Sequence, residues 1–305
     1  MSNTLLERLP TIQGRYTPQA DLKKQVWFRV GGPAEVLFKP KDVQDLCTFL
    51  KEKPKDIPIT ILGVGSNILI RDGGIPGVTI KLGRGFSKVS VQDDFLTAGA
   101  GALDRTVALT AAEHGLGGLS FLAGIPGTIG GAIKMNAGAY GHDVKDTFVS
   151  CQVVTQEGTL EEYNAEKLAL QYRKSSLPEG AIVVSATFKG VPEKPSALHE
   201  QITQIMEERE LSQPTRSRTG GSTFKNPDGH KAWELIDNAG CRGHAIGDAM
   251  VSQKHCNFFI NTDSATAHDL ESLGAYVQKQ VLQKSGIQLE WEIKRLGIEE
   301  RNEKD

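Results

Sequence analysis

Residues 120–141 read SFLAGIPGTIGGAIKMNAGAYG, and six glycines punctuate the stretch. Its centre is the run Gly124-Ile125-Pro126-Gly127-Thr128-Ile129-Gly130-Gly131. Upstream, Ile59 to Leu62 reads as a short buried strand that feeds Gly63-Val64-Gly65-Ser66-Asn67, and Ile68 to Ile70 resumes the strand. The chain has 33 glycines in 305 residues, and 18 of them lie between Gly63 and Gly141. No three-residue period accompanies them, which excludes a collagen-like chain. Hydrophobic residues make up 39% and the charges nearly balance, which argues against disorder. The glycines therefore punctuate a foldable sequence, where they permit positive φ or close backbone approach.

Such a cluster invites a nucleotide-binding reading, which the spacing narrows. Gly63-Val64-Gly65 and Gly99-Ala100-Gly101 both lack the third glycine of G-x-G-x-x-G. No Gly-Lys pair exists, so there is no Walker A loop. Gly220-Gly221-Ser222-Thr223-Phe224 ends in Phe where a nucleophile elbow needs Gly. What remains is two loops, 63–67 and 124–131, each able to turn consecutive backbone N–H groups toward a pyrophosphate. Ser66, Asn67 and Thr128 would add neutral donors. Purely structural turns fit the spacing equally well.

Composition bounds the rest. Formal net charge is −2, from 35 basic and 37 acidic residues, so nothing marks a dedicated nucleic-acid binder. The four cysteines, Cys47, Cys151, Cys241 and Cys256, form no CxxC pair and read as free thiols. No His or acidic spacing suggests a metal site. The first ten residues carry Glu7 and Arg8 and no long apolar run, and no stretch approaches a membrane span. The expectation is a soluble, cytoplasmic, monomeric protein with no nucleic-acid or membrane partner.

Along the chain, 42–51 and 106–114 read as helices, 151–154, 160–163 and 182–188 as strands. Residues 191–195 hold two prolines and mark a candidate domain boundary. Residues 199–211, 231–238 and 265–284 read as helices, the last with Ser264 as N-cap and Gly286 as stop. Residues 287–296 read as a strand with Ile287, Leu289, Trp291 and Ile293 on one face, and Gln288, Glu290, Glu292 and Lys294 on the other. The polar tail from Glu299 reads as frayed. Strands and helices mix without strict βαβ alternation, which favours an α+β class.

Several blocks are more specific. Trp27-Phe28-Arg29-Val30-Gly31-Gly32-Pro33-Ala34, Leu62 to Gly74 and Ala123 to Gly141 resemble the FAD domain of bacterial UDP-N-acetylenolpyruvoylglucosamine reductases (MurB). Tyr172-Arg173-Lys174-Ser175 is similar to that family's YRxS segment, and Gly221 to Pro227 to its GSxFKNP segment. Asn238-Ala239-Gly240, Val251-Ser252 and His255 to Phe258 resemble its third-domain core, and Glu290 to Lys294 its C-terminal strand. The blocks follow family order and span Trp27 to Lys294. Only 47 residues separate Arg173 from Gly221, which is similar to the shorter type that lacks an inserted tyrosine-bearing loop.

The resemblance implies a vanillyl-alcohol-oxidase/PCMH-type FAD-binding domain of two α+β lobes, residues 1–85 and 86–195. A separate α+β substrate domain, residues 196–305, would follow. It implies non-covalent FAD, NADPH as co-substrate, and reduction of UDP-N-acetylglucosamine enolpyruvate to UDP-N-acetylmuramate for peptidoglycan. It places the catalytic groups at Arg173, Ser222 and Glu292. It places cofactor contacts at Arg29, Gly63, Gly65, Ser66, Asn67, Ile68, Gly124, Pro126, Gly127, Thr128, Gly130, Gly131, Asn136 and Gly138. Substrate contacts would be Tyr172, Lys225, Asn226 and Asn257, with Arg216 and Arg218 as further candidates for the diphosphate. From residue type and pattern alone, the default readings are a turn or cap residue for Ser222, a surface ion-pair partner for Arg173 and a solvated side chain for Glu292.

Overall fold

The computed structural model describes residues 5–300, so most of the polar tail, 301–305, lies outside the described residues. The chain forms two compact units, and neither is one continuous piece. Unit one holds the described residues up to Pro18, Val36–Gly63 and Gly77–Arg209. Unit two holds Gln19–Glu35, Val64–Pro76 and the described residues from Glu210 onward. This differs from linear lobes at 1–85, 86–195 and 196–305, and the hydrophobic cores give the reason. Leu198 and Ile202, on the Pro195–Ser212 helix, are buried in a unit-one core, so the division falls after residue 195. Phe28, Val30 and Leu69 are buried with Phe224, Phe259 and Ile293, so two early segments belong with the C-terminal part.

Unit one is built on two sheets. The strands Arg15–Ala20, Ala34–Lys39, Ile75–Ile80 and Ile59–Ile61 make one sheet in that order, Ile59–Ile61 running parallel to Ile75–Ile80. The Val43–Glu52 helix buries Leu46, Phe49 and Leu50 against it, as the periodicity of 42–51 predicts. Asp42 caps that helix by accepting from Asp45 N at 2.9 Å. The second sheet is antiparallel throughout, ordered Leu160–Asn164, Phe148–Val154, Ile182–Lys189, Phe95–Gly99, Val89–Gln92. The Asp104–Glu113 and Ile129–Met135 helices bury Val107, Ala108, Ala111, Ile129 and Ile133 in its core.

Unit two has a four-stranded antiparallel sheet, Arg218–Ser222, Phe258–Asn261, Ala249–Val251, Ala245–Ile246. The Ala267–Ser285 helix buries Leu270, Leu273, Val277 and Val281, and ends at Gly286 with φ 73°. Its N-cap is Thr266, not Ser264: Thr266 and Asp269 form a reciprocal capping box that Ser264 lacks. The carboxylate of Asp72 also accepts from Ala267 N and His268 N, both at 3.0 Å. Arg71 donates to Glu271 in a bidentate pair, and Arg295 reaches the same carboxylate at 3.1 Å. These bonds stitch the early 68–72 segment and the late 294–296 strand onto one helix, and the two strands pair in parallel.

Residues 287–294 keep the expected burial alternation, with Leu289 and Ile293 in the core. Only Lys294–Leu296 is a ladder strand, because the preceding backbone bonds to a loop: Lys225 N to Glu290 O and Glu292 N to Thr223 O, both at 2.8 Å. Trp291 lies against Gly274, where a Cβ would stand 2.0 Å from Cζ2 of the ring. In an exposed helix, Gly→Ala gains about 1 kcal/mol. Here overpacking, about 1–3 kcal/mol, opposes that gain. Gly274→Ala is therefore expected to lower the thermal unfolding midpoint, and a raised midpoint would show that the indole gives way freely.

Candidate active site

Unit one brings one set of predicted residues together. The 124–131 loop is tied to 100–104 by Asp104 N to Gly127 O at 3.1 Å, Ile129 N to Ala102 O at 3.0 Å and Gly130 N to Ala100 O at 2.9 Å. Gly127 N bonds Ile125 O across Pro126. The expected run of free N–H groups in this loop is thus corrected: Ile129 N and Gly130 N are spent on the 100–102 scaffold and Gly127 N on the loop itself. What it offers a ligand is different. A Cβ on Gly63 would meet only the Thr128 hydroxyl, at 3.1 Å, and a Cβ on Gly131 only the same oxygen, at 4.0 Å. Two side chains are missing where the space beside Thr128 opens, as a bound group lying on backbone requires. Gly124 is packed differently, its Cβ position being filled by the Tyr140 ring.

Asn136, expected at the cofactor, is 1% exposed and bonds Asp143, Lys145 and Gln171 within unit one. Gly138 O accepts from Arg173 Nη1 at 3.2 Å. Arg173 stands at φ 54°, and its guanidinium lies 5.2 Å from the ring centroid of Tyr172, which is 60% exposed.

Unit two gathers a second set. No carbonyl or side chain among the described residues takes the N–H groups of Val64, Gly65, Ser66 and Asn67. Four consecutive N–H groups are thus left without a partner among the described residues, as an anion-binding turn would need. Gly65 O accepts from Trp27 N at 3.1 Å, which sets the 27–29 segment beside the loop. Arg29 itself is exposed, at φ 59°, and donates to Lys24 O at 2.9 Å. Ile68 opens the strand paired with Lys294.

Ser222 ends the Arg218–Ser222 strand just after an irregularity in its pairing with Phe258–Asn261, opposite Phe258. A Cβ on Gly221 would have Ser66 O as its nearest neighbour, at 3.8 Å, so the two loops run side by side. Thr223 O accepts from Glu292 N, which puts Ser222 and Glu292 on adjacent stretches of backbone. Asn67 Nδ2 donates to Glu292 O at 3.4 Å. Asn257, 4% exposed, accepts from Phe224 N at 2.9 Å and donates to Phe224 O at 2.8 Å, while its own carbonyl takes Thr223 N at 2.7 Å. Its side chain thus braces the Ser222 loop from behind. Lys225 pairs with Glu290 at 3.0 Å. Asn226 accepts from Ala232 N, capping the Ala232–Asn238 helix. Arg216 pairs with Glu210, and both line a cavity of about 480 Å³ with Lys254 and Ile260.

One residue has no signal in the sequence. Asp104 opens the Asp104–Glu113 helix, where an acidic first-turn residue is ordinary. It is nevertheless fully buried, neither carboxyl oxygen has a partner among the described residues, and Oδ2 lies 2.5 Å from where Gly127 would carry a Cβ. Desolvation holds its carboxyl well above the usual carboxylate range. Folded stability from a raised carboxyl is complete below the unfolded value near ~3.9 and is lost as pH rises through the folded one. Asp104→Leu is expected to unfold at higher urea than the unaltered protein at pH 8, with a smaller advantage at pH 5. A difference that does not grow with pH would mean that the carboxyl ionises unhindered.

Comparison with known proteins decides what this arrangement belongs to. A family described as "FAD binding domain" matches residues 34–164, and "UDP-N-acetylenolpyruvoylglucosamine reductase, C-terminal domain" matches residues 213–296. The UDP-N-acetylenolpyruvoylglucosamine reductase of Gluconobacter oxydans is 54% identical over 96% of this chain and 95% of its own. That of Paramagnetospirillum magneticum is 53% identical over the same shares. The chain belongs to the UDP-N-acetylenolpyruvoylglucosamine reductase family. Membership makes it a FAD-binding oxidoreductase with a PCMH-type FAD domain, α+β in class. The crystal structure of the Thermus caldophilus family member covers 94% of this chain and 100% of its own, at 33% identity and a TM-score of 0.81. Glucooligosaccharide oxidase from Acremonium strictum, 14% identical over 95% of this chain and 61% of its own with a TM-score of 0.50, shares the fold alone. Among the described residues no helix is long and apolar enough to cross a membrane, and no three His, Cys or acidic residues group as metal ligands.

Proposed function

We propose that this chain reduces the enolpyruvyl group of UDP-N-acetylglucosamine enolpyruvate to UDP-N-acetylmuramate, with NADPH as co-substrate, as a cytoplasmic step of peptidoglycan synthesis. The observation that carries the reading is the placement of Ser222 at a strand end beside Glu292, with Asn257 bracing the loop. Within unit two the Val64–Asn67 donors suit a diphosphate, and within unit one the open space at Thr128, Gly63 and Gly131 suits a group lying on backbone. Bound FAD would supply the hydride chemistry, from NADPH to the β-carbon of the enolpyruvyl double bond. Negative charge then falls on the α-carbon and its carboxylate.

The chain's own groups answer that charge. Ser222 Oγ gives its proton to the α-carbon; a carbanion or enol is basic enough to take one from a hydroxyl. Arg173 presents an always-charged planar fork to the carboxylate. Glu292, on backbone bonded to the Ser222 loop, orients the proton transfer. Lys225 and the Arg216–Lys254 cavity meet the nucleotide's phosphates. Purified protein is expected to be yellow and, under anaerobic conditions, to oxidise NADPH beyond one equivalent per flavin only when the enolpyruvyl nucleotide is present. A folded, colourless protein that retains no flavin on reconstitution would overturn the reading.

A further inference from the structure

Asn136 ends the Ile129–Met135 helix in the left-handed region, at φ 41°. Its Nδ2 donates to Asp143 Oδ2 at 2.9 Å and to Gln171 O at 3.1 Å, and its Oδ1 accepts from Lys145 N at 3.0 Å. Both amide protons are therefore engaged inside the protein, and the side chain has no donor left for a ligand. Two of these bonds go to the 143–146 turn, which Asp143 and Asp146 close as a capping box. The third goes to Gln171, the base of a tight turn: Gln171 N bonds Lys174 O at 2.9 Å and Lys174 N bonds Gln171 O at 3.0 Å. Tyr172 and Arg173 form the tip of that turn.

Arg173 is held from its other end as well. Its Nη1 donates to Gly138 O, and Gly138 lies two residues beyond Asn136 on the same backbone run. The base of the arginine's turn and the carbonyl that receives its guanidinium are thus both referenced to Asn136. The left-handed backbone of Arg173, at φ 54°, is one that a side-chain-bearing residue adopts only where surrounding bonds impose it. The Asn136 Nδ2 bond to Gln171 O is a side-chain bond across the base of this turn.

We propose that Asn136 is a positioning residue for Arg173: by clamping Gln171 O and anchoring the run to Gly138, it fixes where the guanidinium is presented. The proposal deepens the reading of Arg173 as the group that binds the substrate carboxylate, and rests on it.

The test uses flavin-loaded protein and separates the two half-reactions by anaerobic stopped flow. Asn136→Asp keeps size and the acceptor for Lys145 N but removes both donors. Asn136→Ala carries the same expectation should the new carboxylate beside Asp143 prevent folding. Flavin reduction by NADPH and flavin retention are expected to stay within about twofold, because neither needs Arg173. Reoxidation by saturating enolpyruvyl nucleotide is expected to slow about 10- to 100-fold, the effect of misplacing a binding group by about an ångström. Hydrogen exchange at the Lys174 amide, measured on flavin-free protein, is expected to speed up. Combining either change with Arg173→Ala should slow reoxidation no further than Arg173→Ala alone. Unchanged reoxidation in both Asn136 variants while Arg173→Ala is impaired would overturn the proposal. Losses that multiply in the double variant, or equal damage to both half-reactions with flavin release, would also overturn it. Normal reoxidation by Arg173→Ala would overturn the underlying reading of Arg173 instead, and the proposal with it.

Discussion

Ser222→Ala is expected to slow the transfer to the enolpyruvyl nucleotide by about 10²- to 10⁴-fold, the usual contribution of a positioned proton donor. Reduction of bound FAD by NADPH should stay within about twofold, since no proton from Ser222 enters that half. The structure makes the variant a clean probe. Ser222 is half-buried at the end of its strand, and its hydroxyl makes no side-chain bond among the described residues. Its loop is held by backbone bonds at Thr223 and Phe224, which alanine leaves in place. Stopped-flow absorbance of the flavin reads both halves in one experiment. Equal loss in the two would reject the proton-donor role, and reoxidation at the unaltered rate would reassign the proton to another group.

The glycine-rich stretch and the burial pattern were legible because each is a local property of the chain. The Ala267–Ser285 helix shows its stripe of Leu270, Leu273, Val277 and Val281 and its glycine stop in sequence. The alternation of Leu289, Trp291 and Ile293 is equally plain. What stayed hidden depends on distant partners. Nothing near Leu69 or Phe28 announces that they pack with Phe259, so the interleaving of the two units could not be read. The two glycine loops look alike as strings, yet 124–131 is bonded back to 100–104 while the N–H groups of 64–67 have no partner among the described residues. Asp104 looks like any first-turn acid until its burial is seen. Asn136 and Asn226 carry the same amide as a ligand-binding asparagine, and their bonds within the fold separate them from one.

Asn257 poses the same question with larger stakes, since family resemblance marks it as a substrate contact and the structure gives it another task. Asn257→Ala strands Phe224 N and Phe224 O, both inside a buried residue's backbone. A buried polar group left without a partner costs about 1–3 kcal/mol. The two together put the expected loss at about 2–6 kcal/mol, a large share of the ~5–15 kcal/mol that holds a typical domain. Urea unfolding should show it as a lower midpoint. The loop carrying Ser222 also loses its brace, so reduction of the nucleotide should fall in the fraction that remains folded. Asn257→Asp discriminates between the two tasks. It keeps the acceptor for Phe224 N but sets a carboxylate oxygen against Phe224 O, so a brace predicts a loss of stability that shrinks as pH falls and the carboxyl, once protonated, can donate. A substrate contact predicts instead a raised KM in either variant with the unfolding midpoint unmoved. A midpoint within about 0.5 kcal/mol of the unaltered protein in Asn257→Ala, the range of an ordinary surface change, would reject the brace.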